Sequence, residues 1–160
     1  MKIELRIINK KFYIEKSNDP PLYSTPGSAA MDLVCTEYTV LYPGETKLIP
    51  TGLAIWVGSD LQGIAGLILP RSGLGTKGLV LANTIGLIDE DYQGELKVSL
   101  LNRSRNKIEL KQGDRFAQLM FIPVLKAHFK VVEEFSSKTG RNTGSFGSTG
   151  DNNAIRKEIE

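Results

Sequence analysis

The sequence is poor in the residues on which metal centres and disulfides depend. Its 160 residues include one cysteine, Cys35, and one histidine, His128. A single cysteine cannot form an intramolecular disulfide, and one Cys with one His is too few for a zinc site. We expect Cys35 to be a small buried hydrophobic side chain. We expect His128, which lies among apparent strand residues, to be structural rather than catalytic.

Charge imbalance and long apolar runs are also missing. Twenty Lys and Arg against 18 Asp and Glu leave a formal net charge of +2, which is too small to indicate nucleic acid or membrane binding by bulk charge. No run approaches the roughly 18 apolar residues of a membrane-spanning helix. Lys2, Glu4 and Arg6 interrupt the start, so no secretion signal is expected. These absences predict a cytoplasmic protein, in the host compartment if the source is a phage or virus.

Short apolar segments separated by Gly and Pro make up most of the chain. Apolar and polar residues alternate over 3–7, 53–57 and 95–101, as in half-buried strands. We also predict strands at 31–35, 64–69, 116–124 and 127–135, a hairpin over 39–49, and one helical turn at 77–82. Many short strands favour an all-β fold, an antiparallel sandwich or barrel.

The composition changes near residue 136, after which Ser, Thr, Gly and Asn dominate as far as Asn153. Such a segment buries too little apolar surface to order itself. We therefore divide the chain into a β-domain over 1–136, a flexible glycine-rich arm over 137–150, and a disordered charged tail over 151–160.

The segment PRSGLG (70–75) directly follows a predicted buried strand. Arg71 offers a planar fork of donors that suits phosphate oxygens. Ser72 and the glycines bring hydroxyl and backbone N–H groups close to an anion. The alternative is an ordinary turn that carries a surface arginine.

The segment GLIDEDYQG (86–94) places three carboxylates side by side. Asp89, which follows an apolar pair, can take a proton from water or bind a metal. Alternatively the segment is a solvated loop, and we expect Glu90 and Asp91 to face solvent. The flat ring of Tyr92 can form one side of a site around Asp89.

Two further positions stand out. Gln118, in GDRFAQ (113–118), lies within an apolar run and must be hydrogen-bonded, because burying an unpaired amide costs about 1–3 kcal/mol. In the glycine-rich arm, Arg141 can meet a phosphate and Phe146 can stack on a planar ring. The alternative is a disordered tail with an accidental Phe.

Taken in order, these segments resemble the five motifs of the trimeric deoxyuridine triphosphatases (dUTPases). The motifs are AAMDL (29–33), PRSGLG (70–75), GLIDEDYQG (86–94), GDRFAQ (113–118) and RNTGSFGSTG (141–150). The segment PTGLAI (50–55) is also similar to the family. The resemblance covers nearly the whole chain, from about residue 3 to residue 150, and five ordered motifs are far more specific than any one of them.

The resemblance implies a jelly-roll-like antiparallel β-barrel with a flexible C-terminal arm. It implies that dUTP is hydrolysed to dUMP and pyrophosphate with Mg²⁺, which lowers dUTP and supplies dUMP for dTTP synthesis. It further implies a homotrimer with active sites between subunits, each closed by the arm of one chain. The Mg²⁺ would be held mainly by substrate phosphates and water.

The resemblance also implies roles for individual residues. Asp89 would be the general base for attack at the α-phosphorus, and Tyr92 would pack beneath the deoxyribose. Asp32 would support the first motif rather than act in catalysis. The other substrate-binding residues would be Arg71, Ser72, Gly73 and Gln118 near the phosphates, Asn83 (in the hairpin before the third motif), Leu87, Ile88 and Lys97 around the base, and Arg141, Phe146, Gly147, Ser148 and Thr149 in the arm.

One departure from the family pattern is Glu90, where many relatives have Ser.

Three alternative functions remain open. A dCTP deaminase would have a different third motif and a catalytic glutamate. A non-enzymatic trimer would use nucleotide to regulate a protein partner, and an enzyme could also have such a partner. A viral jelly-roll coat protein would not need Arg71, Asp89 and Phe146 together.

Overall fold

The structure, a computed structural model, describes residues 2–13, 23–58 and 63–145. Its strands are short and separated by turns, as the glycine and proline punctuation predicts. A short 3-10 helix spans Lys10–Phe12, and one helical turn, α1, spans Ser72–Gly75. The strands are β1 (Glu4–Ile7), β2 (Met31–Val34), β3 (Thr39–Leu41), β4 (Thr46–Trp56), β5 (Ile64–Pro70), β6 (Leu79–Leu81), β7 (Gly86–Ile88), β8 (Glu95–Asn102), β9 (Ile108–Leu110) and β10 (Arg115–Pro123).

All strand pairs among the described residues are antiparallel. One four-stranded sheet has the order β1-β4-β8-β6, a second has the order β2-β10-β5-β7, and β3 pairs with β9. Internal contacts divide the chain into a first unit, Met1–Lys126, and a second unit, Ala127–Glu160. All of these strands belong to the first unit.

The core of the first unit forms because the strands alternate as their sequences predict. In β8, Leu96, Val98 and Leu100 are buried, and the side chains between them are more exposed. These residues join a single apolar cluster with residues of both four-stranded sheets, such as Leu53 of β4 and Leu119 of β10. Burial of a side chain of this size contributes about 1.5–3 kcal/mol.

Strand β4 is longer than the sequence pattern suggests. Its 11 residues run through Pro50, which cannot donate a hydrogen bond to a neighbouring strand. The register of β4 against β8 shifts between Pro50 and Ala54, so the proline lies at the irregularity, where sheets tolerate it. Residues 51–55 are all buried, so both faces of the sheet are covered at this part of β4, which also has a neighbouring strand on each side.

The predicted hairpin over 39–49 is wrong in its pairing. The backbone turn forms, with the Glu45 N–H donating to the Tyr42 carbonyl at 2.9 Å. However, β3 pairs with β9 and β4 pairs with β8. A Pro-Gly signal determines a local change of direction, but it does not select the strand that becomes the partner.

The predicted helical turn at 77–82 is also wrong, because the helical turn lies earlier, at Ser72–Gly75, and Leu79–Leu81 is a strand. Gly78 separates the two elements, with a φ of +92° that favours glycine. A Cβ at Gly78 would lie 2.7 Å from the Cβ of Ser104. The close approach to Ser104 therefore requires glycine here and ends the helical turn.

The strand predicted over 127–135 does not form among the described residues, so this prediction is wrong. Phe129, Val131 and Phe135 are at least 90% exposed, and His128 is exposed as well. A strand needs a neighbour that takes up its backbone hydrogen bonds, and this segment has none within the described chain. Alternation of side chains alone cannot supply that neighbour.

Cys35 and Tyr13 carry titratable groups that are buried in the core of the first unit. Cys35 is fully buried, as predicted; its thiol donates to the Glu37 carbonyl at 2.7 Å, and burial raises its pKa. Tyr13 is 4% exposed and its hydroxyl donates to the Thr51 carbonyl at 2.7 Å. Burial raises the pKa of Tyr13 from 10.0 to about 12.

No helix in the described ranges is long and apolar enough to cross a membrane.

Replacing Tyr13 by phenylalanine tests this buried hydroxyl. Because the pKa is higher in the folded state, the stabilisation by Tyr13 is complete below pH 10 and is lost as the pH rises toward 12. The difference in unfolding free energy between wild type and Tyr13→Phe should therefore shrink by about 1 kcal/mol between about pH 9 and pH 11. Urea denaturation at each pH measures it. Tyr23→Phe, at an exposed tyrosine, is the control. A constant difference for Tyr13→Phe would contradict the prediction.

Candidate functional site

Adjacent strands of one sheet bring together a cluster of charged side chains. Asp32 lies in β2 opposite Gln118 of β10, and Gln118 lies opposite Leu69 of β5. Arg71 follows β5 directly, and Arg115 is the first residue of β10. The antiparallel registers of three strands therefore place two guanidinium groups beside one carboxylate.

The carboxylate of Asp32 is shared between the two arginines. Its Oδ1 lies 3.1 Å from Nε of Arg71, and its Oδ2 lies 3.0 Å from Nη1 of Arg115. The hydroxyl of Ser24 donates to Oδ2 at 2.9 Å. Arg71 also donates from Nη1 to the Arg115 carbonyl at 2.8 Å. We call these four residues, Ser24, Asp32, Arg71 and Arg115, the arginine–aspartate cluster.

This cluster borders an open cavity of about 380 Å³, also lined by Ser72 and Gln118. Gln118 is half-buried and its amide donates to the Pro70 carbonyl at 2.9 Å, so the expected hydrogen bond is present. Arg71 and Asp32 line the cavity and their charges balance; with Arg115, which does not line it, the cluster carries one net positive charge. Such a surface suits an anion with several oxygens.

The helical turn α1 continues this surface. Arg71 lies just before α1 with an extended backbone, and its carbonyl accepts hydrogen bonds from Leu74 and Gly75. Ser72 and Gly73 are exposed, and a Cβ at Gly73 would meet nothing within 4 Å. The backbone at Gly73 is therefore open to close approach by a ligand.

Asp89 lines a second cavity, of about 260 Å³, between β4, β7 and β8. Its carboxylate is exposed and makes no side-chain hydrogen bond among the described residues. Apolar side chains share this cavity although they are largely exposed: Leu87 is 61% and Leu48 is 60% exposed. The remaining lining residues are Ile88, Tyr92, Leu96 and Lys97.

The loop that follows Asp89 is held by Tyr92. The Tyr92 N–H donates to the Asp89 carbonyl at 3.2 Å, and the Tyr92 hydroxyl donates to the Glu95 carbonyl at 2.9 Å. A Cβ at Gly94 would lie 2.5 Å from that hydroxyl oxygen and 2.7 Å from Cζ. Glycine at position 94 thus leaves room for the ring beside the cavity.

The prediction that Glu90 faces solvent is wrong, because its side chain is only 22% exposed. Its Oε2 accepts from the Gly63 N–H at 3.0 Å, and its other oxygen pairs with the ammonium group of Lys126. The hydrogen bond from Lys126, together with that from Gly63, lowers the pKa of Glu90. Glu90 in turn raises the pKa of Lys126, with smaller contributions from Asp91 and Asp89.

The two cavities lie toward opposite ends of β5. Arg71 follows the last residue of β5, whereas Ile88, the residue before Asp89, pairs with Gly66 near its start. A strand advances about 3.3 Å per residue, so this register separates the backbone of Arg71 from that of Ile88 by roughly 16 Å along the strand. One chain therefore presents the arginine–aspartate cluster and the pocket that contains Asp89 as separate places.

Asn83, a predicted site residue, lines neither of the two cavities and is exposed in the turn from β6 to β7. The prediction that this turn belongs to a hairpin is wrong, because β6 and β7 belong to different sheets. Arg141 is exposed in a turn of the second unit. Phe146, Gly147, Ser148 and Thr149 lie outside the described residues.

Sequence reasoning missed Ser24, Leu48, Gly94 and Arg115. Arg115 lies within the fourth motif, so its place in GDRFAQ was an available signal. No sequence pattern singles out Ser24 or Leu48, which reach the cavities only through the fold. Among the described residues, no group of three or more His, Cys, Asp or Glu side chains is arranged to hold a metal ion.

Comparison with known proteins agrees with the five ordered motifs. A family model described as dUTPase matches residues 16–150. The chain belongs to the dUTPase family. A deoxyuridine 5'-triphosphate nucleotidohydrolase of Pseudomonas fluorescens is 56% identical over 133 residues, covering 81% of this chain and 86% of the relative. A relative of the same name from Francisella philomiragia is 54% identical and covers 94% of this chain and 99% of its own length.

Solved dUTPase structures share the fold. A Staphylococcus bacteriophage 80alpha dUTPase with dUPNHPP matches with a TM-score of 0.77 at 26% identity, over 94% of this chain and 99% of that chain. The predicted all-β, jelly-roll-like fold is thus confirmed, as is the resemblance to dUTPases.

A Gly94→Ala variant tests how this dUTPase-family chain holds Tyr92. The new Cβ would overlap the ring, so the ring must leave its place and its hydrogen bond to Glu95 is lost. We expect a loss of about 1 kcal/mol in unfolding free energy, with Tyr92 displaced in a crystal structure of the variant. Gly27→Ala, where a Cβ meets nothing within 4 Å, is the matched control. An unmoved Tyr92 in Gly94→Ala would contradict the prediction.

Proposed function

We propose that this chain hydrolyses dUTP to dUMP and pyrophosphate, with Asp89 as the general base. Asp89 takes a proton from water as the water oxygen bonds to the α-phosphorus. The bond from that phosphorus to the bridging oxygen breaks, and pyrophosphate leaves. The observation that carries the proposal is the exposed Asp89 carboxylate in a partly apolar cavity, in a chain whose family and relatives are dUTPases.

The arginine–aspartate cluster is the proposed triphosphate site. Arg71 lines the cavity of about 380 Å³, and its Nε lies 3.1 Å from Oδ1 of Asp32; the cluster as a whole carries one net positive charge. Arginine held in this way loses little freedom when it binds phosphate, which favours affinity. Ser72, Gly73 and Gln118 would add a hydroxyl, a backbone N–H and an amide. Asp32 would orient the arginines rather than react, since both its oxygens have partners.

The cavity around Asp89 is the proposed nucleoside site. Leu87 and Ile88 would frame the base, Lys97 would lie beside it, and Tyr92 would pack beneath the deoxyribose, where a 2′-hydroxyl would clash. Uracil presents two carbonyls and one N–H, which backbone groups and the amide of Asn83 can match. Exposed apolar side chains such as Leu87 favour this use, because a bound ring would cover them.

Magnesium fits these residues only as a partner of the substrate. Both oxygens of Asp32 are taken by guanidinium groups, so Asp32 is not a ready ligand. Mg²⁺ commonly keeps several waters and binds through substrate phosphates with few carboxylates. Bound in this way with dUTP, it would offset phosphate charge. The protein's own contribution would be to position the triphosphate and the attacking water.

A homotrimer with shared sites is part of the proposal. The roughly 16 Å between the Arg71 and Ile88 backbones is too long for one chain to direct both Arg71 and Asp89 at the same phosphates without a long reach. A second copy that supplies one of the two surfaces removes the difficulty. Leu125, Phe129, Val131 and Phe135 are at least 90% exposed, and such apolar residues favour burial against another chain.

The arm over 137–150 would close the site. Arg141 would meet the γ-phosphate, Phe146 would stack on uracil, and Gly147, Ser148 and Thr149 would add donors to phosphate. These roles, like the division into a domain over 1–136, the arm and a tail over 151–160, remain predictions.

Replacing Asp89 by asparagine tests the proposed base. The variant keeps the shape of the side chain but cannot take a proton, so kcat for pyrophosphate release from dUTP should fall at least about 100-fold. Nucleotide binding, measured by calorimetry with a non-hydrolysable dUTP analogue, should change little. Asp91→Asn, in the same loop, is the matched control and should retain kcat within a few-fold. Near-normal turnover by Asp89→Asn would reject the role.

Two truncations test the arm and the tail separately. A chain ending at Lys138 loses Arg141 and 146–149, so we expect an intact trimer by light scattering but a loss in kcat/KM of at least about 100-fold. A chain ending at Gly150 lacks only 151–160 and should remain fully active. Full activity in the shorter chain would show that the arm is not needed, and a monomeric full-length chain would overturn the shared site.

A further inference from the structure

Glu90 occupies an unusual position in the loop that follows Asp89. Its side chain is only 22% exposed, although the neighbouring Asp89 and Asp91 are exposed. One carboxylate oxygen accepts the Gly63 N–H at 3.0 Å, and the other pairs with the Lys126 ammonium group. Its carboxylate thus makes two contacts outside its own loop.

These contacts connect three segments of the first unit. Gly63 immediately precedes β5, and its carbonyl accepts the Val124 N–H at 2.7 Å, just beyond the end of β10. Gly63 has a φ of +80°, and a Cβ there would lie 2.8 Å from the Val124 carbonyl oxygen. The Gly63–Val124 contact is therefore a tight backbone bridge, and Glu90 and Lys126 attach the Asp89 loop to it.

We propose that Glu90 is a positioning residue for Asp89, anchored by Gly63 and charge-balanced by Lys126. The inference rests on the proposed function in taking Asp89 as the base. The hydrogen bond from Gly63 holds the loop at Glu90, the residue after Asp89, and so restricts the movement of the loop. The ammonium group of Lys126 balances the negative charge of Glu90, the residue next to Asp89.

The charge balance depends on every group near Asp89. Glu90 and Asp91 are its neighbours in the loop, Lys126 pairs with Glu90, and Lys97 and Tyr92 line the same cavity. Removing one member of the Glu90–Lys126 pair leaves the other uncompensated. The two single substitutions therefore change the net charge next to Asp89 in opposite directions, whereas purely structural damage has no reason to act with opposite signs.

The pH profile of kcat for dUTP hydrolysis tests the charge balance. Glu90→Gln keeps an oxygen acceptor for Gly63 but leaves Lys126 unpaired, so the acid limb should move to lower pH by about 0.3 unit at low salt. Lys126→Met leaves Glu90 unpaired, so the limb should move to higher pH by a similar amount. The double variant should return close to wild type. Shifts in the same direction, or no shift in either, would overturn the charge balance.

Hydrogen exchange tests the anchor without any substrate. In Glu90→Ala, which removes the acceptor, the Gly63 amide should exchange at least about 3-fold faster than in wild type. In Glu90→Gln it should stay protected. Equal exchange in wild type and Glu90→Ala would overturn the anchor. This assay works even if wild type does not hydrolyse dUTP, so it separates failure of the anchor from failure of the proposed function.

The Lys107–Glu109 pair provides a matched control. It is an ion pair with Nζ and Oε1 2.7 Å apart, more exposed at its carboxylate than Glu90, and it lies at β9, whose partner strand is β3. Neither Glu109→Gln nor Lys107→Met should move the acid limb or the Gly63 exchange rate. If these variants moved the limb as far as Glu90→Gln does, the effect would come from overall charge, and the positioning role would be rejected.

Discussion

The antiparallel ladder on both sides of β5 is the constraint on which the arrangement of the site depends. Pairing with β10 brings Gln118 beside β5, and β2 on the far side of β10 carries Asp32. Asp32 pairs with Arg71, which directly follows β5. Pairing with β7 carries the chain toward Asp89 at the other end. Gly66 and Gly86 allow this second contact, because a Cβ at either would lie within 3.2 Å of an isoleucine across the ladder. A one-residue slip would turn each of these side chains to the opposite face.

Much of the fold and of the site could be predicted from local pattern. The strict alternation in β8 and the apolar runs of β5 and β10 identify strands because burial selects the residues of each face directly. Gln118 is hydrogen-bonded because an unpaired amide in an apolar run would be costly, and this holds whatever the partner is. The five motifs led to the right family because several short patterns in a fixed order are far more specific than any one of them.

What could not be predicted depends on long-range partners. The Pro43-Gly44 turn forms, but strand pairing across the molecule decides that β3 joins β9. Alternation over 127–135 indicated a strand, yet the described chain offers no neighbour for it. The sequence indicates a surface carboxylate at Glu90 because both its partners, Gly63 and Lys126, are at least 27 residues away in sequence. The fourth motif contains Arg115, but the motif alone does not show its contact with Asp32, which lies 83 residues away.

The burial of Cys35 has a consequence for the chemistry of the protein outside any active site. A thiol must ionise before it attacks disulfides or alkylating reagents, and the raised pKa together with complete burial suppresses both ionisation and access. Folded chains at high concentration should therefore resist oxidative crosslinking without added reductant. Reaction of this single sulfur with an alkylating reagent would instead report how often the core opens, which makes the native residue an intrinsic probe of local unfolding.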